Sequence, residues 1–223
     1  VAAGYADYVV AMTSSHFASA EKQFRFPLEY ANQRPMSATW TVTGSGAYVL
    51  GKRKSNACIT GITTGKIIDY GIKDSMNMGA AMAPAAADTI CQNLKDFGRR
   101  PEDYDHIITG DLGSVGREIL IDLLKKEGYD ISEMHLDCGM LIYESKAQGT
   151  GAGGSGCGCS AVTLAGHFLK QVEQGKLQRI LFVPTGALLS TVSFNEGKTV
   201  PGIAHGVVIE HACLLYTSDA ADE

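Results

Sequence analysis

The chain is poor in tryptophan, proline and positive charge, with one Trp and six Pro in 223 residues and a formal net charge of -5. That balance excludes the basic footprint that phosphate backbones require, so nucleic acid is not the expected partner. No apolar run reaches the roughly 18 residues of a membrane span, and no signal peptide stands at the front. Val1 is not an initiator methionine, and Val1 to Met12 reads as a helix end entering a buried strand. The chain is therefore expected to begin inside a fold, which leaves the absence of targeting uninformative. Repeats and low-complexity linkers are lacking too. Six cysteines (Cys58, Cys91, Cys138, Cys157, Cys159, Cys213) lie scattered among apolar segments of a chain large enough to need no staples. A reducing compartment and small buried thiols are the expectation. Cys157-x-Cys159 has no second ligand pair, and helical positions two apart do not share a face, so no metal site or cofactor is expected.

What is present is a core. Hydrophobic residues make up 45% and charged residues 19%, which fits one sizeable globular domain or two small ones. Strands are expected at Tyr8 to Thr13, Thr39 to Leu50, Ala57 to Ile68, Asp105 to Asp111, Arg179 to Val183 and Gly202 to Ile209. A helix is expected from Pro84, placed in its first turn, to Phe97, and another after Gly113-Ser114 with Ile119, Leu120, Leu123 and Leu124 on one face. Alternating strands and helices define an α/β layered fold. Between the first two strands, His16 to Pro35 carries Phe24, Arg25, Phe26, Tyr30 and Arg34, too many aromatics for a solvated connector, and reads as a flap or partner surface.

The most informative stretch is Gly151-Ala152-Gly153-Gly154-Ser155-Gly156-Cys157-Gly158-Cys159, which opens into the helical pattern Val162, Leu164, Phe168, Val172. A bare first turn leaves amides reachable by an anion, and it equally permits close helix packing. Asp111 ends its strand where open α/β sheets bind ligands, and reads as a ligand or cation contact or as an Asx-turn residue. His205 reads as a proton shuttle or a satisfied core histidine. His16 follows Thr13-Ser14-Ser15 at a strand end, where the hydroxyls form a site or cap the turn. Asp137-Cys138-Gly139 is a second strand-edge cluster, or a turn with a buried thiol. Met76, Met78 and Met82 line a passage or fill core gaps.

Six ordered motifs carry a resemblance. Thr13-Ser14-Ser15-His16, Val42-Thr43-Gly44-Ser45-Gly46-Ala47, Ala81-Met82-Ala83-Pro84-Ala85-Ala86-Ala87-Asp88-Thr89-Ile90, Thr109-Gly110-Asp111-Leu112, Gly153-Gly154-Ser155-Gly156-Cys157 and Ile203-Ala204-His205-Gly206-Val207-Val208 together resemble the stage V sporulation protein AD family of thiolase-like proteins, from about Ala6 to Ala212. The resemblance implies an α/β/α/β/α fold of two similar halves. Residues 1–56 would be the remainder of the amino-terminal half, 57–212 the carboxyl-terminal half, and 213–223 a non-native, disordered tail. It implies a soluble component of a spore membrane complex, peripheral to the inner spore membrane, that binds dipicolinic acid with calcium and supports its uptake into the developing spore. Other proteins of that complex are the implied partners, with a homodimer as a further possibility.

The resemblance also implies what is missing. The segment bearing the thiolase nucleophile precedes the strand at Tyr8 and is not in this chain, and Gly110-Asp111 stands where ketoacyl synthases end a strand with histidine. Acyl transfer needs an activated thiol and oxyanion donors, so a binding role is expected in place of an enzymatic one. The implied pocket uses amides at Gly153 to Cys157 (Gly156 among them), the Ser155 hydroxyl, Asp111 toward the metal and His205 on a ligand carboxylate, with His16 and Asp137 in the same ligand-binding set. An acyltransferase using an upstream cysteine, and an adaptor docking through Phe24, Phe26 and Tyr30, are the alternatives. Without the remaining strands, the chain alone is expected to aggregate.

Overall fold

The computed structural model describes residues 1, 3–24, 34–53 and 55–212, and of 21–24 the backbone alone. The expected tail and the flap residues Arg25, Phe26 and Tyr30 lie outside the described residues. In chain order the elements are β1 (Tyr8–Ser15), α1 (Phe17–Phe24), β2 (Trp40–Thr41), β3 (Gly44–Gly51), β4 (Ala57–Thr63), α2 (Met78–Asp96), β5 (His106–Thr109), α3 (Gly113–Lys126), β6 (His135–Asp137), α4 (Cys138–Leu141) and α5 (Ser145–Gln148). They continue with β7 (Gly154–Ser155), α6 (Cys157–Thr163), a π-helical turn at Leu164–Phe168, α7 (Leu169–Glu173), β8 (Arg179–Val183), β9 (Thr185–Ala187), α8 (Thr191–Asn195), β10 (Gly202–Ala204) and β11 (Gly206–His211).

A mixed five-stranded sheet in the order β4-β11-β8-β5-β6 forms the centre. β5 runs parallel to β6 and β8, while β11 is antiparallel to β4 and β8. Its inner strands are apolar on both faces, as strands covered on both sides must be. Ile107, Leu181 and Val208 face one core with Leu120 and Leu124 of α3 and the alanine-rich α2. Ile108, Ile180, Phe182 and Ile209 face the other, with Leu164, Phe168 and Val172 of the α6–α7 helix. Beyond that helix lies the antiparallel pair β1–β3, so the layers run α2/α3, sheet, α6/α7, then β1–β3.

The β1–β3 pair sits on α6 because glycines let it. A Cβ at Gly46 would come 2.8 Å from the Ala161 Cβ, and the Tyr48 hydroxyl donates to the Ala161 carbonyl at 2.5 Å. The backbone that had to pass close to something at Gly44-Ser45-Gly46 therefore passes the helix. β1 itself is exposed along most of its length, where a buried strand was expected.

Four other boundaries differ from the sequence reading, the first being the strand expected from Ala57 to Ile68, which ends at Thr63 and leaves Ile68 only an isolated bridge to Gly202. The expected strand from Thr39 splits at Val42-Thr43 into β2, which pairs in parallel with β7, and β3. Pro84 lies inside α2 and not in its first turn, because Asn77 caps the helix by accepting from the Ala80 N–H at 3.3 Å. The buried residues Gly79, Ala81, Met82 and Ala83 hold the added turns by packing, which offsets the bond that proline cannot donate. The last expected strand breaks at His205 into β10, which pairs with β9, and β11 of the main sheet. Residues from Phe17 also form a helix where a loop was expected.

A buried polar string ties the sheet edge to α2. Glu210, 4% exposed, pairs with Arg99 at 3.2 Å and with Arg179, and the Tyr104 hydroxyl donates to Asn93 Oδ1 at 2.7 Å. Asn93 in turn donates to the Thr63 hydroxyl at 2.8 Å. Each buried polar group there is partnered, as burial demands.

Candidate functional site

β5 and β8 are parallel neighbours, so their carboxyl ends open at one edge, and the turns that follow them meet there. A cavity of about 610 Å³ occupies that edge. Ser14, Ser15 and His16 reach it from the end of β1, Met76, Met78 and Met82 from the start of α2, and Asp111 from the turn after β5. Ser155 to Cys157 and Ser160 line it from β7 and α6, and Thr185, Leu189, Ser190 and Phe194 from the segment after β8. Among the described residues the wall is thus hydroxyl and thioether, with one carboxyl, one imidazole and one exposed thiol, Cys157. At the aromatic rim Phe17 stacks on Trp40 at 5.0 Å, and the Arg34 guanidinium lies 4.2 Å from the Trp40 ring centroid.

Asp111 is the charged centre of this wall. Its Oδ2 accepts the Gly156 N–H at 2.9 Å and its Oδ1 the Thr185 hydroxyl at 3.0 Å. Burial raises its carboxyl to about 7, helped by the nearby Asp137 carboxylate and opposed by those two hydrogen bonds. One side chain thereby joins the turn after β5, the entrance of α6 and β9.

Asp137, expected in the ligand set, has a different place. It is 2% exposed and accepts from the Thr109 hydroxyl at 2.6 Å and from the N–H groups of Leu112, Gly113 and Met140 at 2.9, 3.1 and 3.2 Å. It caps α3 and α4 together from the floor beneath the cavity, outside its lining. Burial still raises its carboxyl above the ordinary range. The Thr109 oxygen also lies 3.0 Å from His135 Nε2, and burial followed by the Arg117 charge pulls the His135 imidazole down to about 3.

The expected amide cradle is also corrected. The Gly156 N–H goes to Asp111, the Gly158 N–H to the Ser15 hydroxyl at 2.9 Å, and the Gly153 N–H to the Thr150 carbonyl. The donors of Gly153, Gly156 and Gly158 are thus spent on the fold, while Cys157 lines the cavity at the start of α6. Asp111 accepts one hydrogen bond through each oxygen, and among the described residues no group of three His, Cys, Asp or Glu side chains could hold a metal. His205 is exposed, lies outside the cavity lining and accepts from the Gly65 N–H through Nδ1 at 3.1 Å, so it is neither a core histidine nor part of this wall.

Of the candidate residues singled out from the sequence, His16, Asp111, Ser155, Gly156 and Cys157 come together in one wall, while Asp137 and His205 stay outside it. The methionines line the passage, and Met82 also belongs to the core. Thr185, Ser160, Thr39, Thr41 and Ser190 were not foreseen. Pro184-Thr185-Gly186 was the available signal, a turn at the end of an apolar strand like Thr109-Gly110-Asp111.

This layering, with a mixed sheet and a cavity at its strand ends, is the thiolase-like fold. 3-Oxoacyl-[acyl-carrier-protein] synthase III of Aquifex aeolicus VF5 superposes with a TM-score of 0.52 at 13% identity, covering 94% of this chain and 59% of that one. The corresponding synthase, FabH, of Pseudomonas aeruginosa PAO1 gives 0.56 at 14%, with the same coverage. At such identity the likeness is one of fold.

The family follows from sequence. The stage V sporulation protein AD family model matches residues 1–210, and stage V sporulation protein AD of Bacillus subtilis (strain 168) is 53% identical over 209 residues, 94% of this chain and 62% of the relative. The chain belongs to the stage V sporulation protein AD family, and it spans about three-fifths of the length of these relatives. The family is named for sporulation, although its fold is shared with 3-oxoacyl-[acyl-carrier-protein] synthases. Among the described residues no helix is long and apolar enough to cross a membrane.

Proposed function

We propose that the cavity at the β5 and β8 strand ends is a carrier site for dipicolinic acid, taken up with calcium as cargo, and that the protein serves its entry into the developing spore at the inner spore membrane without catalysing a reaction. The observation that supports this reading best is the composition of the wall. Thioethers of Met76 and Met78 with Phe194 offer apolar faces to a planar ring, while Ser14, Ser155, Ser160 and Thr185 offer hydroxyls to carboxylate oxygens. The volume of about 610 Å³ lies within the range of small-molecule sites. Family membership supplies the sporulation setting.

Calorimetric titration of calcium dipicolinate into the full-length protein tests the reading. Ser160→Phe should fill the cavity and abolish binding while the melting curve stays cooperative. His205→Ala, outside the wall, should leave affinity within twofold. Equal binding by the Phe variant would remove the cavity from consideration.

A further inference from the structure

We propose that Asp111 holds a ligand carboxylate through a shared proton, so that an anionic ligand entering the cavity takes up one proton from solvent. The inference rests on the reading that this cavity binds a small carboxylic acid. It deepens that reading by assigning the charge state in which the site works.

The geometry leaves few other ways to hold an anion. Among the described residues lining the cavity there is no lysine or arginine. The helix-entrance amides at Gly156 and Gly158 are already donated to Asp111 and Ser15. A ligand carboxylate reaching the polar wall therefore meets hydroxyls, the His16 imidazole, the Cys157 thiol and one carboxyl group. Two carboxylates in contact cannot both stay ionised, and a shared proton turns their repulsion into a charge-assisted hydrogen bond.

The surroundings of Asp111 allow the proton to reside there. The Thr185 hydroxyl, 3.0 Å from Oδ1, also accepts the Asp111 N–H at 3.4 Å and can turn to follow a change in protonation. From the packed elements, Asp137 below adds negative charge, Cys138 and Cys159 are buried thiols, and Cys157 and His16 share the cavity wall. Both buried thiols are pushed up by their burial and by the two carboxylates, so they stay neutral near pH 7. Burial and Asp137 already place the Asp111 carboxyl at about 7, and a ligand anion beside it moves it further in the same direction.

Below about pH 7 the proton is already on Asp111 and binding takes up none. Above it, each ligand anion brings one proton with it, and affinity falls toward tenfold per pH unit. No covalent bond forms or breaks.

The test is calorimetry of sodium dipicolinate with the full-length protein, at several pH values from about 6 to 8.5 and in two buffers of different ionisation enthalpy. The expected result is proton uptake rising toward one per ligand above pH 7, with the matching loss of affinity. Asp111→Asn should abolish the pH slope and bind more tightly than the unsubstituted protein at the alkaline end. His16→Gln should retain the slope, separating the carboxyl from the imidazole on the same wall. Saturable binding with no proton uptake, or with proton release, overturns the proposal and leaves the carrier reading standing. Absence of sodium dipicolinate binding at every pH, with calcium dipicolinate still bound, overturns the proposal alone, and absence of binding of either salt overturns both.

Discussion

The five-stranded sheet and the β1–β3 pair are built from similar residues and end in opposite conditions. The sheet has helices on both faces, and Ile107, Ile108, Ile180 and Leu181 are fully buried. Among the described residues the pair has a helix on one face only. Val10 opposes Val49 and Met12 opposes Ala47, and this outer face leaves Met12 77% and Val49 72% exposed. Apolar alternation is thus satisfied in one region and unmet in the other, which places most of the chain's stability around the sheet. The cavity lies between the regions, with its floor on the sheet's strand ends and one wall on the end of β1.

The largest expected effect breaks the covered region. Phe168, on the helix between the two layers, is 1% exposed, and Phe168→Ala should cost about 3 to 5 kcal/mol in urea unfolding. Next is Asp137→Ala, which strands the hydroxyl and three N–H groups that one carboxylate satisfies, at a cost of about 3 kcal/mol. Loss of less than about 0.5 kcal/mol would show that water replaces the cap.

Asp111→Asn is expected to stabilise, with a pH signature. The folded carboxyl at about 7 stands above its unfolded value of 3.8, so the unfolded chain loses its proton first as pH rises. Stability contributed by the neutral group is full below pH 3.8 and is lost as pH rises toward 7. The advantage of the Asn variant should therefore grow over that window by about 1.4 kcal/mol per pH unit at most, and level off above it, as read from melting curves. A constant difference across the window would contradict the raised carboxyl.

The smallest stability effect sharpens the comparison from the bare side. Val49→Ala should change unfolding by less than about 0.5 kcal/mol, because the side chain is largely in water already. Val10→Lys with Val49→Lys should instead reduce self-association of this chain in sedimentation, since an exposed apolar face drives it. Unchanged association would relieve that face of the role.

Much of this was legible from sequence. The continuous run Arg179 to Val183 announced a strand buried on both faces, and Gly44-Ser45-Gly46 announced a close approach, because both signals are local. Asp111 at a strand end and His16 after its hydroxyls were legible as wall residues for the same reason. The role of Asp137 was not, since it caps a helix that begins 24 residues earlier in the chain, which no local pattern encodes. Nor was the spent state of the Gly156 and Gly158 amides, for Gly158 meets Ser15 across 143 residues. Pro84 misled because buried packing of the preceding turn outweighed the usual placement of proline at a helix start.

The central claim is that the site lies in the cavity between the two regions, and a crystal structure of the full-length protein grown with calcium dipicolinate tests it most directly. The account predicts the ring between Met78 and Phe194, with one carboxylate within hydrogen-bond distance of Asp111. Density for the ligand beside His205, or elsewhere outside this wall, would contradict it.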